Sequence, residues 1–374
     1  MKNGIDRPEL IRPYLAGKRI GVLTNYTGVT SSLRLSVDVL RGFSDVRVIL
    51  TPEHGLYGAA QAGEAVSDSV YGDTGIPVVS LFNAGNVTDA WADDIDVLVY
   101  DIQDVGLRFY TYIYSLSDAM QTCAARGVSV LVLDRYDPLG LSAVEGTLLE
   151  RPFSSFVGRY PIPSRYGMTV GELARYFNEE EGIGCDLRVV PCEGLTPDTD
   201  CTNAGLPWVP TSPNCPSPDA VLCYAGTVLF EGTNLSEGRG TTKPFEVFGA
   251  PFLRAEELTE SLNSLRLPGV LFRCHPFIPS FSKHRGELCR GVMLHVTDRR
   301  AFRPFETGLR ALDLIRRTHD ELEFIQTGDG SFYLDRLLGT DAFRKEPFDI
   351  DAFLKEQAEK VGKFDASRYF LYGR

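Results

Sequence analysis

Short apolar runs alternate with segments of helical spacing along the first 145 residues. The runs span 18–25, 46–50, 77–82, 96–101 and 129–134. Segments 36–43 and 112–126 between them have the apolar spacing of helices. Short, continuous apolar runs predict strands that are buried on both faces, as in a parallel sheet covered by helices. The pattern predicts an α/β fold, with a Rossmann-like open parallel sheet forming a domain over residues 1–150.

The pattern is less regular after residue 150. Thr169 and Glu172 have the spacing of a capping box, which predicts a helix reaching to about residue 180. A long polar loop follows over 194–219. Further helices are predicted over 258–265, 305–318 and 349–361, and strands over 186–191, 270–274 and 291–296. We therefore expect a smaller α+β C-terminal domain over 151–374.

Composition narrows the choice of partners. The chain has 374 residues and a net charge of -12, and no basic run is longer than Arg299-Arg300, which argues against nucleic-acid binding. No stretch approaches about 18 consecutive apolar residues, so no membrane span is expected. The sequence as given shows no signal peptide, which predicts a cytoplasmic protein, or a periplasmic or secreted one if a leader was removed. Its oligomeric state cannot be predicted.

Cysteine spacing does not indicate a metal site. The eight cysteines include no C-x-x-C pair, and no Cys/His spacing matches a zinc site. Free, partly buried thiols are the expectation, and disulfides within 185–223 are the alternative for an exported protein. The chain also lacks the glycine-rich nucleotide motifs and the G-x-S-x-G nucleophile elbow. We expect neither a metal nor another cofactor.

Polar side chains follow several of the apolar runs, where the predicted strands end. These residues are Asn25, Glu53, His54, Asp101 and Asp104. In an open parallel sheet, ligands bind beside the carboxyl ends of the strands, so these side chains are expected along one active-site edge. Helix capping is the alternative for such residues, and it is favoured for Asp134.

Residues 101–114 form a second informative stretch. It combines two acids with Arg108, Tyr110 and Tyr112. Tyrosines offer flat faces for a sugar ring and hydroxyls for its polar edge. A guanidinium can bind a carboxylate in bidentate fashion, so Arg108 is a candidate substrate ligand. Surface pairing of Arg108 with Asp104 or Asp101 is the alternative.

The most polar stretch spans residues 231–246, here called the 231–246 loop. It carries Glu231, Asn234, Glu237 and Arg239 among glycines at 232, 238 and 240, and it follows an apolar segment over 221–230 that is expected to be buried. Glycines allow a backbone to approach a ligand closely, and polar loops fixed to rigid elements commonly carry binding sites. We expect this loop to share one interdomain pocket with Glu53, Asp101 and Arg108.

The chemical groups in these three stretches favour glycoside hydrolysis. That reaction needs one proton donor and one carboxylate that activates water, attacks carbon or orients the substrate. Two rivals remain open. One is a protein that binds its ligand in the same cleft without turnover, and the other is a metal-dependent hydrolase using His54, Asp101 and Asp104, although no metal-ligand spacing supports it.

Several motifs resemble one known family. They lie at 52–55 (Pro-Glu-His-Gly), 101–112, 157–163, 167–172, 205–210, 212–214 and 231–246. In this order they are similar to the exo-β-N-acetylmuramidases, the NamZ-type glycoside hydrolases that were long catalogued as a domain of unknown function. The resemblance covers nearly the whole chain from about residue 15. Tyr26 and Tyr166 depart from the pattern, since proline and histidine are expected at these positions.

The resemblance implies a Rossmann-like domain, a smaller C-terminal domain and a cleft between them. It also implies release of N-acetylmuramic acid from the non-reducing end of peptidoglycan fragments, in cell-wall turnover and recycling. We expect Glu53 to be the catalytic acid/base beside Asp101, with His54 donating a hydrogen bond to the sugar. The lactyl carboxylate of the substrate is expected on Arg239 or Arg108. Retaining, inverting and substrate-assisted mechanisms all remain open, and a protein that binds muropeptides or amino sugars without turnover remains the alternative.

Overall fold

The computed structural model describes residues 1–61, 63–82 and 89–374. The described helices are α1 (Pro8–Leu15), α2 (Ser36–Arg41), α3 (Tyr112–Arg126), α4 (Val170–Glu180), α5 (Pro218–Thr227), α6 (Ala255–Ser264), α7 (Pro304–Thr318), α8 (Tyr333–Leu338) and α9 (Ile350–Gly362). The described strands are β1 (Arg19–Thr24), β2 (Asp45–Thr51), β3 (Ser69–Val70), β4 (Pro77–Ser80), β5 (Val97–Asp101), β6 (Ser129–Leu133), β7 (Glu145–Leu148), β8 (Pro163–Arg165), β9 (Leu187–Val190), β10 (Val247–Ala250), β11 (Val270–Cys274) and β12 (Arg290–Val296).

A seven-stranded sheet forms the centre of the N-terminal part, in the order β3-β4-β2-β1-β5-β6-β9. Every pairing is parallel except that of β3 with β4. All five residues of β5 are buried, as expected for a strand covered on both faces. The predicted α/β fold with a Rossmann-like parallel sheet is thus confirmed. Its last strand, β9, comes from beyond residue 150, because β6 pairs with residues of the 187–190 segment.

The C-terminal part is smaller and mixed, as predicted. A three-stranded antiparallel sheet in the order β10-β12-β11 packs with α6, and α5 packs against α7. Glycines allow α5 and α7 to pack closely. A Cβ on Gly226 of α5 would lie 1.9 Å from the carbonyl oxygen of Pro304, and a Cβ on Gly308 of α7 would lie 2.4 Å from the carbonyl oxygen of Gly226. The apolar segment 221–230 is buried as predicted, and it forms most of α5 and the turn after it.

The amino terminus of α4 is tied to the end of β6. The capping box is present, since Thr169 Oγ1 accepts from the amide of Glu172 and the Thr169 amide donates to Glu172 Oε2. The Asp134 carboxylate accepts from the Gly171 amide and from Thr169 Oγ1, each at 2.8 Å. Burial raises the pKa of Asp134 to about 6. Asp134 therefore caps a helix, which is the role that the sequence favoured.

The eight cysteines are free thiols, and most of them are buried. Among the described helices, none has both the length and the apolar character needed to cross a membrane.

Candidate active site

A cavity of about 280 Å³ lies where the carboxyl edge of the large sheet meets the C-terminal part. Its volume is at the lower end of the range for small-molecule pockets. Six of the residues predicted from the sequence line it: Glu53, His54, Tyr110, Tyr112, Glu231 and Arg239. The 231–246 loop and the end of β2 therefore face each other across this cavity, as predicted.

Glu53 is the first carboxylate of the cavity. It follows β2 and is only 8% exposed. Oε1 accepts a hydrogen bond from the Gly63 amide at 2.9 Å, and Oε2 accepts one from Thr111 Oγ1 at 2.7 Å. These two bonds fix the orientation of the carboxyl group while it faces the cavity. Thr111 was not predicted as a site residue, although it lies inside the 101–114 stretch.

His54 has a strained backbone and a defined tautomer. Its φ of 71° is in the left-handed region, which is costly for a residue with a Cβ. Its Nδ1 lies 2.8 Å from the carbonyl oxygen of Ala60, and because a carbonyl only accepts, Nδ1 carries the proton. Burial lowers the pKa of His54, although Glu53 opposes this shift. The neutral ring therefore presents the Nε2 lone pair, which is an acceptor, whereas the sequence analysis expected His54 to act as a donor to the sugar.

An alternating chain of charges shapes the 231–246 loop. Arg239 Nη2 donates to Glu231 Oε1 at 2.6 Å, and its Nε lies 3.1 Å from Glu237 Oε1. Lys283 then contacts Glu237 Oε2 at 3.1 Å. Burial would lower the pKa of Arg239, but the charges of Glu231 and Glu237 outweigh it and raise the pKa. Glu231 and Arg239 thus line the cavity as an ion pair. Glu237 is not part of the cavity lining, and it contacts the Nε side of the Arg239 guanidinium.

Lys283 holds this loop from the connection between β11 and β12. Its ammonium donates to the backbone carbonyls of Phe230 and Leu235, at 2.8 and 2.9 Å, besides contacting Glu237. The sequence analysis missed Lys283, since a single lysine in a connection gives no local signal of such a role.

Aromatic side chains form much of the remaining wall. Tyr110 and Tyr112 pack edge to face at 4.8 Å, and the Tyr112 hydroxyl donates to the carbonyl of Thr211 at 2.7 Å. Tyr224 and Tyr333 also line the cavity, and neither was predicted. Burial raises the pKa of Tyr333, and Glu231 adds to the effect. Tyr333 therefore remains a neutral hydroxyl near the carboxylates.

Asp101 does not share the cavity, so its expected position beside Glu53 is wrong. It ends β5, which is separated from β2 by β1. Its side chain is fully buried, and its two oxygens accept from Arg135 Nε at 2.6 Å and Arg135 Nη2 at 2.9 Å. These contacts make Asp101 half of a buried ion pair with no exposure to a substrate.

Arg108 is also outside the cavity, contrary to prediction. Its guanidinium is fully buried and donates to the carbonyls of Thr147, Ile162 and Leu337, at 2.6, 2.9 and 2.8 Å. Burial lowers the pKa of Arg108 to about 10. The side chain joins the β7–β8 ribbon to α8, and it has no free edge for a substrate carboxylate.

Three further predicted ligands do not line the cavity and instead form hydrogen bonds within the protein: Asn25, Asn234 and Asp104. Asn25 Oδ1 accepts from the amide and hydroxyl of Thr27, at 2.9 and 2.6 Å. Asn234 Nδ2 donates to the carbonyl of Glu321 at 2.8 Å, outside the cavity lining.

Asp104 is the third of these, and it is buried away from the cavity. It accepts from the Gly106 amide at 2.8 Å and from the Tyr166 hydroxyl, and burial raises its pKa to about 6. Tyr166, one of the two departures from the family pattern, is therefore an internal partner of Asp104. The other departure, Tyr26, covers Gly58, where a Cβ would lie 1.8 Å from its ring.

The described ranges contain no group of three His, Cys, Asp or Glu side chains arranged to hold a metal ion. His54, Asp101 and Asp104 therefore do not come together as the metal-dependent alternative requires.

Comparisons with known proteins agree along the whole chain. Two sequence models match, described as the N-terminal and C-terminal parts of exo-β-N-acetylmuramidase NamZ, over residues 20–219 and 222–372. The peptidoglycan β-N-acetylmuramidase NamZ of Bacillus subtilis (strain 168) is 47% identical, over 100% of this chain and 91% of that protein.

Two crystal structures of DUF1343 family proteins from Bacteroides fragilis have the same fold. The first has a TM-score of 0.89 at 31% identity and covers 100% of this chain and 99% of its own. The second has a TM-score of 0.78 at 32% identity, with 99% and 98% covered. The resemblance found in the sequence is confirmed: the chain belongs to the NamZ family of exo-β-N-acetylmuramidases and is a glycoside hydrolase.

Proposed function

We propose that this enzyme releases N-acetylmuramic acid from the non-reducing end of peptidoglycan fragments, in cell-wall turnover and recycling. The observation that carries the proposal is one small cavity that presents two carboxylates, Glu53 and Glu231, beside an arginine. A pocket of about 280 Å³ suits a terminal sugar better than the middle of a long glycan. This geometry is that of an enzyme acting on chain ends.

Glu53 is the catalytic acid/base in this proposal. General acid catalysis needs a carboxyl group held in one orientation and shielded from water, close to the leaving oxygen. The Gly63 amide and the Thr111 hydroxyl supply that orientation, and the 8% exposure supplies the shielding. The neighbouring His54 Nε2 accepts a hydrogen bond from a sugar hydroxyl or the acetamido N–H, which places the ring against Glu53.

Glu231 is the second carboxylate, in place of Asp101. Its Oε1 accepts from Arg239 Nη2 at 2.6 Å, and this contact orients the carboxylate for a role in activating water, attacking carbon or orienting the substrate. Glu237 lies behind Arg239 and is only 2% exposed, so it has little access to the substrate. The two carboxylates thus have different surroundings, which suits them to different roles.

Arg239 binds the lactyl carboxylate that distinguishes N-acetylmuramic acid from N-acetylglucosamine. Arg108, the other candidate, is fully buried by backbone carbonyls. The Nε and Nη2 of Arg239 are paired with Glu237 and Glu231, and its Nη1 has no hydrogen bond among the described residues. Nη1 is therefore the nitrogen assigned to the substrate.

The test is hydrolysis of a MurNAc–GlcNAc disaccharide, followed by NMR of the released sugars. Wild-type enzyme is expected to release both monosaccharides. Glu53→Gln keeps the shape of the side chain and removes its proton, so turnover should fall at least about a hundredfold with folding intact. An activated aryl glycoside, whose leaving group needs little protonation, should lose less.

Glu64→Gln is the matched control, because Glu64 lies in the same loop but is exposed and, within the part of the chain that the structure describes, accepts only from the Gln61 amide at 2.8 Å. Its turnover should match the wild type. Near-normal turnover by Glu53→Gln would transfer the acid role to Glu231. Binding of the disaccharide by the wild type without any release would reject the proposed reaction for this chain.

A further inference from the structure

Two phenylalanines stand together in the wall of the cavity. Phe82 follows β4, Phe156 lies between β7 and β8, and their ring centroids are 5.4 Å apart with a tilt of 47°. We call this pair the aromatic rim. Phe156 is 44% exposed, whereas Glu53 is 8% exposed. The contrast places the aromatic rim at the mouth of the cavity and the carboxylate at its inner end.

The position of Phe156 is set by a tight turn. The Ser155 amide donates to the Gly158 carbonyl at 2.7 Å, and the Gly158 amide donates back to the Ser155 carbonyl at 3.2 Å. Phe156 and Val157 form the tip of this turn, and Val157 packs against the main hydrophobic core. The core thus fixes Val157, while the Phe156 side chain remains partly exposed to solvent.

The base of the turn is fixed as well. Ser154 Oγ donates to the Arg159 carbonyl at 2.8 Å, and the Arg159 guanidinium lies 5.5 Å from the ring centre of Tyr114 and also pairs with Asp118. A single exposed apolar side chain is common in proteins, but Phe156 lines a cavity and packs against a second phenylalanine, and apolar surface grouped in this way marks a binding site. Rigid aromatic side chains give much contact area at little cost in conformational entropy.

We propose that the aromatic rim binds the sugar on the leaving-group side of the scissile bond, by stacking on the apolar face of its ring. This inference rests on the proposed exo-acting hydrolysis. An exo-acting enzyme takes the terminal sugar into the closed end of its pocket, so the next sugar must lie at the mouth. There the pyranose presents its C–H face, and phenylalanine offers a flat apolar surface without a polar atom to satisfy.

The charged residues of the cavity do not take part in the stacking of the leaving-group sugar on the aromatic rim. Glu53, Glu231 and Arg239 are at most partly exposed within the cavity, and they serve the terminal sugar. The aromatic rim therefore distinguishes substrates that have a second sugar ring from those that do not, and it does not read the substituents of that second sugar. It should contribute to the binding of a disaccharide and leave the binding of a monosaccharide unchanged.

Binding is measured by calorimetry in the Glu53→Gln background, which slows turnover at least about a hundredfold. Phe156→Ala added to that background should raise the Kd of the MurNAc–GlcNAc disaccharide about two- to tenfold, the range expected for loss of one aromatic contact. The Kd of N-acetylmuramic acid alone should change less than about twofold. Phe156→Trp should restore disaccharide affinity. Leu271→Ala, which truncates an exposed apolar side chain on β11 outside the cavity, should change neither Kd.

Equal weakening of both ligands would overturn the proposal, since Phe156 would then act on the terminal sugar or on the fold. An unchanged disaccharide Kd would overturn it too. In otherwise wild-type enzyme, Phe156→Ala should lower kcat/KM for the disaccharide but not for N-acetylmuramyl fluoride, whose leaving group is a single atom. Failure of the proposed hydrolysis itself would be seen separately, as no sugar release by the wild type.

Discussion

Replacing Asp101 by asparagine distinguishes a structural carboxylate from a catalytic one. Asparagine has nearly the same shape as aspartate but no charge. In the wild type, both Asp101 oxygens accept hydrogen bonds from the Arg135 guanidinium, at 2.6 and 2.9 Å, and in the variant an amide group would face that guanidinium. Arg135 is almost fully buried and would be left without its counter-charge. We expect a loss of stability without a direct effect on the reaction.

The magnitude follows from the burial of both partners. Removing one member of a buried ion pair costs about 3–5 kcal/mol, because the remaining charge stays desolvated. Unfolding entropy of about 2.1 cal/mol/K per residue gives about 0.8 kcal/mol/K for a chain of this length. Asp101→Asn should therefore lower the unfolding midpoint by about 4–6 °C.

The assay combines thermal unfolding followed by circular dichroism with turnover of the disaccharide at 25 °C. The kcat of Asp101→Asn should remain within about threefold of the wild type, far from the hundredfold typical of a lost acid or base. Combining Asp101→Asn with Arg135→Met removes the unpaired charge and should recover part of the stability. A hundredfold fall in kcat with an unchanged midpoint would refute this reasoning and return Asp101 to the reaction.

Three other predictions follow from the site and its surroundings. Arg239→Lys should weaken N-acetylmuramic acid substrates about tenfold more than the corresponding N-acetylglucosamine substrates, because a single ammonium cannot pair with Glu231 and Glu237 and also present a separate nitrogen to the lactyl carboxylate; equal kcat/KM losses on both would contradict it. Burial raises the pKa of Asp137 to about 7. The folded chain therefore keeps a proton on Asp137 that the unfolded chain loses above about pH 4. The free energy of unfolding should consequently fall as pH rises from about 4 to 7. Asp137→Asn should therefore stabilise the protein by up to about 4 kcal/mol at pH 8 and much less at pH 4, in urea titrations at the two pH values. Finally, His54→Gly should be more stable than His54→Ala by about 1–2 kcal/mol, because glycine tolerates the φ of 71°. Both variants lose the Nε2 acceptor, so their turnover should fall equally. Equal free energies of unfolding would argue against backbone strain at this position.

The regular elements could be predicted where the local pattern alone decides. The helix predicted over 112–126 is α3, and the strand predicted over 270–274 is β11, with the same limits. The run 96–101 differs from β5 by one residue. Continuous apolar runs and helical spacing reflect burial directly, so such elements need no knowledge of distant contacts. The helix α8, in contrast, is only six residues long, and it went unpredicted although Tyr333 at its start lines the cavity.

The direction of polar side chains could not be predicted in the same way. Arg108, Tyr110 and Tyr112 lie within five residues, yet the tyrosines line the cavity and Arg108 turns into the β7–β8 ribbon. Nothing in their order shows which carbonyls surround Arg108, because those carbonyls belong to residues 147, 162 and 337. Sequence thus located the stretches that carry the site, while long-range packing decided which side chains face the substrate.

The Asp101–Arg135 pair has a consequence for engineering this enzyme. It lies near the ends of β1 and β5, the point at which an open α/β sheet reverses its strand order and usually binds ligands. A Cβ on Gly28 would lie 2.7 Å from the Asp101 carbonyl oxygen, so the chain is tightly packed there. Mutant libraries aimed at this part of the sheet will mostly yield less stable protein with unchanged specificity, whereas new substrate ranges should come from the loop after β2, the turn that bears Phe156 and the 231–246 loop.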